Sequence, residues 1–181
     1  MQAKSFISYS SMDTEIRSLS KKESSLYLDS IYKLNQENTP EVGSLENIDH
    51  LKSLISMSGI VIIASVKKKI VGFMICMSED SEYASKNYLF FLKKYSSFTY
   101  IDRIAVNNKF RNSGLGSKIY RYLQMQDSTR NRVCCEVNIK PLNQPSLNFH
   151  QKHGFVSVGE KTFEDGHAVR YLLNEFFKTK N

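Results

Sequence analysis

Apolar residues recur along the chain at two periods, and the alternation between them predicts a mixed fold. Ser20-Lys21-Lys22-Glu23 has capping-box spacing: the Ser oxygen covers an orphan N–H while Glu23 reaches back. Leu26, Tyr27, Ile31 and Leu34 follow at helical spacing, so a helix is expected over 21–36, after a short strand near 14–18. Asn38-Thr39-Pro40 and Gly43 break the chain. Ile48, Leu51, Leu54 and Ile55 mark a second helix over 46–57. The β-branched runs 60–66 and 70–77 flank a turn at Lys67, Lys68 and Lys69 and read as a hairpin. A short helix is expected around 85–94 and a strand over 98–106. Leu115, Ile119, Tyr122 and Leu123 form the stripe of a helix over 114–127. A strand over 132–138 and a helix over 144–153 follow, with Pro145 suited to a helix start. Closing strands are expected over 155–159 and 168–173. Strands interleaved with helices, and hairpins at both ends, imply an α/β (α+β) mixed sheet with helices on its faces.

Composition narrows the class. The 181 residues are 41% hydrophobic and 24% charged, which excludes a wholly disordered chain. The longest mainly apolar stretch, 60–66, is far short of the roughly 20 residues that span a bilayer. Residues 1–13 have no apolar core long enough for a secretory signal. A soluble, cytoplasmic protein without membrane partners is therefore expected. Cys76, Cys134 and Cys135 are an odd set that suits small buried side chains better than a disulfide framework. No Cys/His spacing resembles a zinc site, so no metal is indicated.

Charge sharpens the picture. The net charge is +7. Residues 1–60 carry 6 basic and 8 acidic groups, whereas 61–181 carry 19 and 10. The densest stretch holds Arg103, Lys109, Arg111, Lys118, Arg121, Arg130 and Arg132 against Asp127. Such a field attracts phosphates, whether of nucleic acid or of a nucleotide cofactor. Inside it a β-branched strand ends near Val106, and Arg111-Asn112-Ser113-Gly114-Leu115-Gly116 leads into a helix. Strand, glycine turn and helix together build an anion cradle, because glycine admits the phosphate and the first orphan N–H groups point at it. A dinucleotide fingerprint would need glycine where Ile119 stands, and the Gly-Lys-Ser/Thr of an NTPase loop is absent.

Arg111-x-x-Gly114-x-Gly116 after a strand resembles the pyrophosphate motif of the GNAT N-acetyltransferase superfamily. Downstream, Asn143-x-x-Ser146-x-x-Phe149-His150-x-Lys152-x-Gly154-Phe155 resembles the family's second signature. The likeness covers about 60–175. Asn87-Tyr88, Tyr100-Ile101-Asp102-Arg103 and Cys135-Glu136-Val137-Asn138 resemble one poorly characterised bacterial branch. The resemblance implies one GNAT-like domain over 1–181, with its cofactor half at about 98–155. It implies a mostly antiparallel central sheet with a splayed strand and helices on both faces.

It also implies acetyl-CoA as acyl donor. By match, the backbone of Arg111, Asn112, Ser113, Gly114, Leu115, Gly116 and Ser117 holds the pyrophosphate, and that of Ile104, Ala105 and Val106 pairs with the pantetheine arm. One of those N–H groups would polarise the thioester carbonyl. Asn143, Ser146 and His150 line one helix face. Asn143 would either bond the arm or cap its helix, and Ser146 would be small to permit close approach. His150 stands where the family has a tyrosine that protonates the departing thiolate. It is either an acid in that role or a structural side chain. Asp102 and Glu136 are candidate bases, each with an ion pair as the alternative, and a water chain is a third route. Alternation would place Asp102 on one face with Tyr100, Ile104 and Val106, and Glu136 with Cys134 and Asn138. The aromatic run from Tyr83 to Tyr100 is core or acceptor wall. His167 and Arg170 are solvated or touch an acceptor.

The expected activity is direct acetylation of an amine on an unidentified, small-molecule acceptor. The rival is an acyl-CoA-binding sensor or docking module without turnover. A nucleic-acid binder leaves both ordered motifs unexplained, so no nucleic-acid partner is expected. A homodimer through the terminal strands is compatible with the pattern.

Overall fold

The computed structural model describes residues 13–127 and 129–175. The elements in chain order are β1 (Thr14–Leu19), α1 (Lys21–Ser24), a 3-10 turn (Ser25–Tyr27), α2 (Leu28–Gln36), α3 (Ile48–Met57), β2 (Ile60–Val66), β3 (Lys69–Ser78) and α4 (Lys86–Leu92). They continue as β4 (Thr99–Val106), a 3-10 turn (Asn108–Phe110), α5 (Leu115–Gln126), β5 (Val133–Lys140), α6 (Gln144–Lys152), β6 (Val156–Thr162) and β7 (Ala168–Asn174). The expected elements are all present, with one correction. The helix expected over 21–36 is broken, because Tyr27 leaves the helical region (φ −118°, ψ 6°) and restarts the chain as α2. The capping box at its start forms on both sides, Ser20 accepting from the Glu23 N–H and Glu23 from the Ser20 N–H.

The seven strands form one sheet in the order β1-β2-β3-β4-β5-β7-β6. Every neighbouring pair is antiparallel except β4 and β5. Those two are parallel and pair only at Thr99–Val133 and Tyr100–Cys134. Both strands run on for six more residues, so they diverge into a V-shaped cleft that begins at Tyr100.

Each sheet face carries its own apolar layer. Ile31, Leu34, Leu51, Leu54, Tyr88 and Phe91 from α2, α3 and α4 pack on Phe73, Ile75, Tyr100, Cys134 and Tyr171. On the other face Leu115, Ile119, Tyr120 and Leu123 of α5 cover Ile62, Met74, Cys76, Ile101 and Cys135. Gly72 lets α5 sit this close: a Cβ there would meet Ile119 Cδ1 at 3.1 Å. Each fully buried Leu, Ile or Phe contributes about 1.5–3 kcal/mol of transfer free energy.

A bulge in the β3–β4 pairing changes the faces from those expected. Ile75 faces Arg103 and Cys76 faces Ile101, which leaves Asp102 without a partner on β3. Side-chain alternation therefore slips by one. Asp102 reaches Tyr83, which packs on Tyr100, and so shares its face, but Ile104 and Val106 belong to the opposite layer, with α5. Plain strand periodicity could not anticipate the inserted residue.

Among the described residues no helix is long and apolar enough to cross a membrane. The expectation about a secretory leader concerns residues 1–13, of which 1–12 lie outside the described residues.

Candidate active site

The loop into α5 has the backbone that an anion cradle needs. Asn112 lies at φ +60° and Gly114 at φ +81°. Asparagine tolerates that left-handed region better than most residues, and glycine occupies it without strain. Gly114 is the N-cap, and nothing lies within 4 Å of where its Cβ would be. Lys118 N–H bonds back to Gly114 O, but the N–H groups of Leu115, Gly116 and Ser117 find no carbonyl acceptor among the described residues. Three free donors at the positive end of a 12-residue helix, beside open space, fit a phosphate. Ser113 Oγ donates to Phe110 O at 2.6 Å and tightens the turn. The Arg111 guanidinium is tied to Asn38 Oδ1 at 2.7 Å.

Phe149 of α6 and His153, which caps its C-terminus, buttress this turn, and no local sequence pattern signals either contact. Phe149 lies against Gly116, where a Cβ would sit 3.3 Å from its ring. His153 stacks on Phe149 with centroids 4.1 Å apart. Its Nδ1 lies 2.7 Å from Phe149 O, a carbonyl that can only accept, so Nδ1 carries the proton. Nε2 is then left to accept from Ser117 Oγ at 2.9 Å. His153 and Ser117 are 36 residues apart, and no local pattern marks the pair.

Beyond Tyr100 the β5-facing edge of β4 has no strand partner among the described residues. The backbone of Ile104, Ala105 and Val106 lies on this stretch; it pairs with β3 on one side, and its polar groups that point away from β3 are open to an extended ligand arm.

Asp102 and Glu136 flank the start of the cleft in different surroundings. Both Asp102 oxygens are engaged: Oδ1 accepts from Tyr83 Oη at 2.5 Å and Oδ2 from Arg103 Nε at 2.7 Å. The ion pair is nearly sealed, with side chains 5% and 8% exposed. Arg103 also donates to Asn35 Oδ1 and Gly43 O, which ties β4 to the end of α2 and the loop after it. Glu136 has no cationic partner among the described residues. The ion pair expected as its alternative does not form among the described residues, where Arg132 pairs with Glu175 and Arg103 with Asp102. The Glu136 carboxylate instead accepts from Tyr100 Oη at 2.7 Å and Asn87 Nδ2 at 3.0 Å. Loss of water around this half-buried residue pushes its pKa up to about 7. The negative charge of Asp102 adds to the rise, and the two hydrogen bonds oppose it. Asn87 accepts in turn from Tyr171 Oη at 3.1 Å. Tyr100 is fully buried, and burial raises its pKa well above the usual value, so its hydroxyl stays a donor.

His150 lies where an exposed acid would not. It is 4% exposed, packed edge-on against Phe155 and Tyr120. Its Nδ1 donates to Ser146 O at 2.7 Å, and Nε2 accepts from Tyr120 Oη, also at 2.7 Å. Burial pulls its pKa down to about 4, so the ring is neutral near pH 7. Asn143 caps α6, with Oδ1 accepting from Ser146 N–H at 3.1 Å.

The remaining candidates are placed plainly. Most of the aromatic run is core: Tyr88, Phe91, Phe98 and Tyr100 are fully buried. Arg170 pairs with Glu160, while His167 stacks on Phe163 and bonds Asn138. Cys76, Cys134 and Cys135 are free and buried, and burial raises each thiol pKa. None is poised as a nucleophile. Among the described residues no three His, Cys, Asp or Glu side chains group as metal ligands.

The same fold recurs in proteins of known structure. The NatC complex bound to Gag peptide and CoA contains a chain that superposes with a TM-score of 0.67 at 16% identity, covering 91% of this chain and 99% of that one. An N-acetyltransferase from Staphylococcus aureus Mu50 gives 0.66 at 17% identity, with the same coverage. The ribosomal-protein-S18-alanine N-acetyltransferase of Escherichia coli gives 0.63 at 14%, covering 89% of this chain and 92% of that one. At such identities the likeness establishes the fold. No curated protein sequence matches the chain significantly. The family model for the acetyltransferase (GNAT) family matches residues 28–155, most of the chain. With a glycine cradle, a splayed strand and this match, the chain belongs to the GNAT family of acetyltransferases, enzymes that use acetyl-CoA as acyl donor.

Proposed function

We propose that the protein acetylates a primary amine of a small-molecule acceptor held at the cleft between β4 and β5, with Glu136 as the group that takes the amine's proton. The observation that carries this reading is Glu136 near the apex of the cleft, with a pKa near 7 and no cationic partner among the described residues. An amine arrives as an ammonium and must lose a proton to become nucleophilic. A carboxylate titrating near neutrality is matched to that task.

Acetyl-CoA supplies an activated acetyl thioester. The N–H groups of Leu115, Gly116 and Ser117, with the turn formed by Arg111, Asn112, Ser113 and Gly114, hold its pyrophosphate. The β5-facing backbone edge of Ile104, Ala105 and Val106 orients the arm. Asn87 and Tyr100 fix the Glu136 carboxylate by donating to its two oxygens. Asp102 acts at one remove: committed to Tyr83 and Arg103, it keeps negative charge near Glu136 and so favours its protonated form. Ser146 and His150 serve the packing of α6 rather than proton transfer, because both nitrogens of His150 are spent within the protein.

A peptide amino terminus is the second reading for the acceptor, favoured by the peptide in the NatC complex and the protein substrate named for the Escherichia coli enzyme. Free thiol release from acetyl-CoA across small amines and amino-terminal peptides tests both. Release with small amines that Glu136→Gln abolishes is the expected result. Coenzyme binding without release on any amine would make the chain an acyl-CoA-binding module.

A further inference from the structure

A hollow of about 310 Å³ opens between α4 and the β6–β7 hairpin, on the sheet face that carries Glu136. Its floor is the ring of Phe90 lying flat on Tyr171, centroids 3.8 Å apart and 15° between planes. Gly159 makes room for that stack, since a Cβ there would meet Phe90 Cζ at 3.0 Å. Lys86, Lys93, Lys94 and Lys161 complete the rim, and no acidic residue lines it.

None of the four lysines forms an ion pair with a carboxylate among the described residues. The nearest acid in sequence, Glu160, is taken by Arg170. Lys94 sits 4.2 Å above the Phe90 ring and donates to Val158 O, and Lys161 lies 5.0 Å over Phe163. Four like charges around one concavity repel one another and raise the local concentration of anions.

The hollow is wired to the proposed base. Tyr171, part of its floor, donates to Asn87 Oδ1, and Asn87 donates to Glu136 Oε1. Lys86 on its rim is the residue before Asn87. Two hydrogen bonds through one side chain, Asn87, thus link the floor of the hollow to Glu136.

Resting on the reading of Glu136 given above, we propose that this hollow is the anion subsite of the acceptor, which is an amine that also carries a carboxylate or phosphate group. The lysines take the acid group, the Phe90–Tyr171 stack supports the apolar part between, and the amine reaches Glu136.

Binding and turnover test this together. Citrate is titrated calorimetrically into the CoA-saturated protein at low salt, so that the pyrophosphate cradle is already filled. Wild type should bind it, and Lys86→Met with Lys161→Met should weaken it by about tenfold or more, about 1.4 kcal/mol, without changing the affinity for CoA. Thiol release is then compared for matched pairs, phosphoethanolamine with ethanolamine and β-alanine with β-alaninamide. The acidic member should be preferred in wild type, and the double substitution should erase the preference. Absent citrate binding, binding indifferent to the lysines, or equal use of both members of each pair would overturn the proposal. A wild type that fails to bind CoA at all would instead strike at the reading of the cleft.

Discussion

The Tyr100 hydroxyl donates to Glu136 Oε2 at 2.7 Å across the point where their strands part company. Tyr100 is the last residue of β4 to pair with β5, and Glu136 lies two residues beyond its paired neighbour Cys134. The bond thus pins a carboxylate at the apex of the opening, accessible from the cleft yet poorly hydrated.

Glu136→Gln keeps the shape and removes the base. We expect kcat to fall by about 100-fold or more with little change in the KM for acetyl-CoA. In wild type the rate should rise with pH through about 7 and level off once Glu136 is ionised. A pH–rate profile checks this, and the variant should lose that limb.

The same residue affects folding in a predictable direction. Its folded pKa, about 7, lies above the ordinary 4.5, so the folded state holds the proton more tightly than the unfolded chain. Its contribution to stability is complete below pH 4.5 and is lost as pH rises through 7. Glu136→Gln cannot ionise. Its Tm relative to wild type should therefore climb between pH 4.5 and 8 in parallel thermal melts.

His150→Phe separates packing from proton transfer. The substitution strands the Tyr120 hydroxyl and one acceptor bond of Ser146 O, so stability at pH 7 should drop by about 2 kcal/mol. Turnover should stay within roughly threefold of wild type, well short of the loss that removing a general acid brings. In wild type the pKa is depressed from 6.5 to about 4. The stability this residue contributes is present above pH 6.5 and is lost as pH falls through 4. The gap in Tm between variant and wild type should narrow over that window.

Asp102→Asn leaves Arg103 buried with its charge uncompensated. Such breakage costs about 3 kcal/mol or more, measured by denaturant unfolding. Because Arg103 also holds Asn35 and Gly43, amide exchange should quicken at the end of α2.

Much of this was legible in the sequence, for local reasons. Capping, hairpin and glycine-turn signals act over a few residues, so β2, β3, α5 and the cradle could be read from Lys67, Gly114 and Gly116. The bulge at Asp102 could not, because one extra residue leaves the composition of β4 unchanged and only its pairing with β3 reveals it. Nor could the environment of Glu136, whose partners Asn87 and Tyr100 lie 49 and 36 residues away. His150 shows the same limit from the other side. Its position in the second signature was readable, but the partner that fixes its tautomer, Tyr120, comes from another helix. The lysines of the hollow are spread over α4, the turn after it and β6, and none of them forms a motif.

Everything rests on the three free amides at the start of α5 and the open space beside Gly114. Calorimetric titration of acetyl-CoA into wild type and Gly114→Trp probes that spot most directly. Wild type should bind one equivalent, and the variant, folded by circular dichroism, should show no measurable heat. Equal affinity in the two proteins would mean that the diphosphate lies elsewhere.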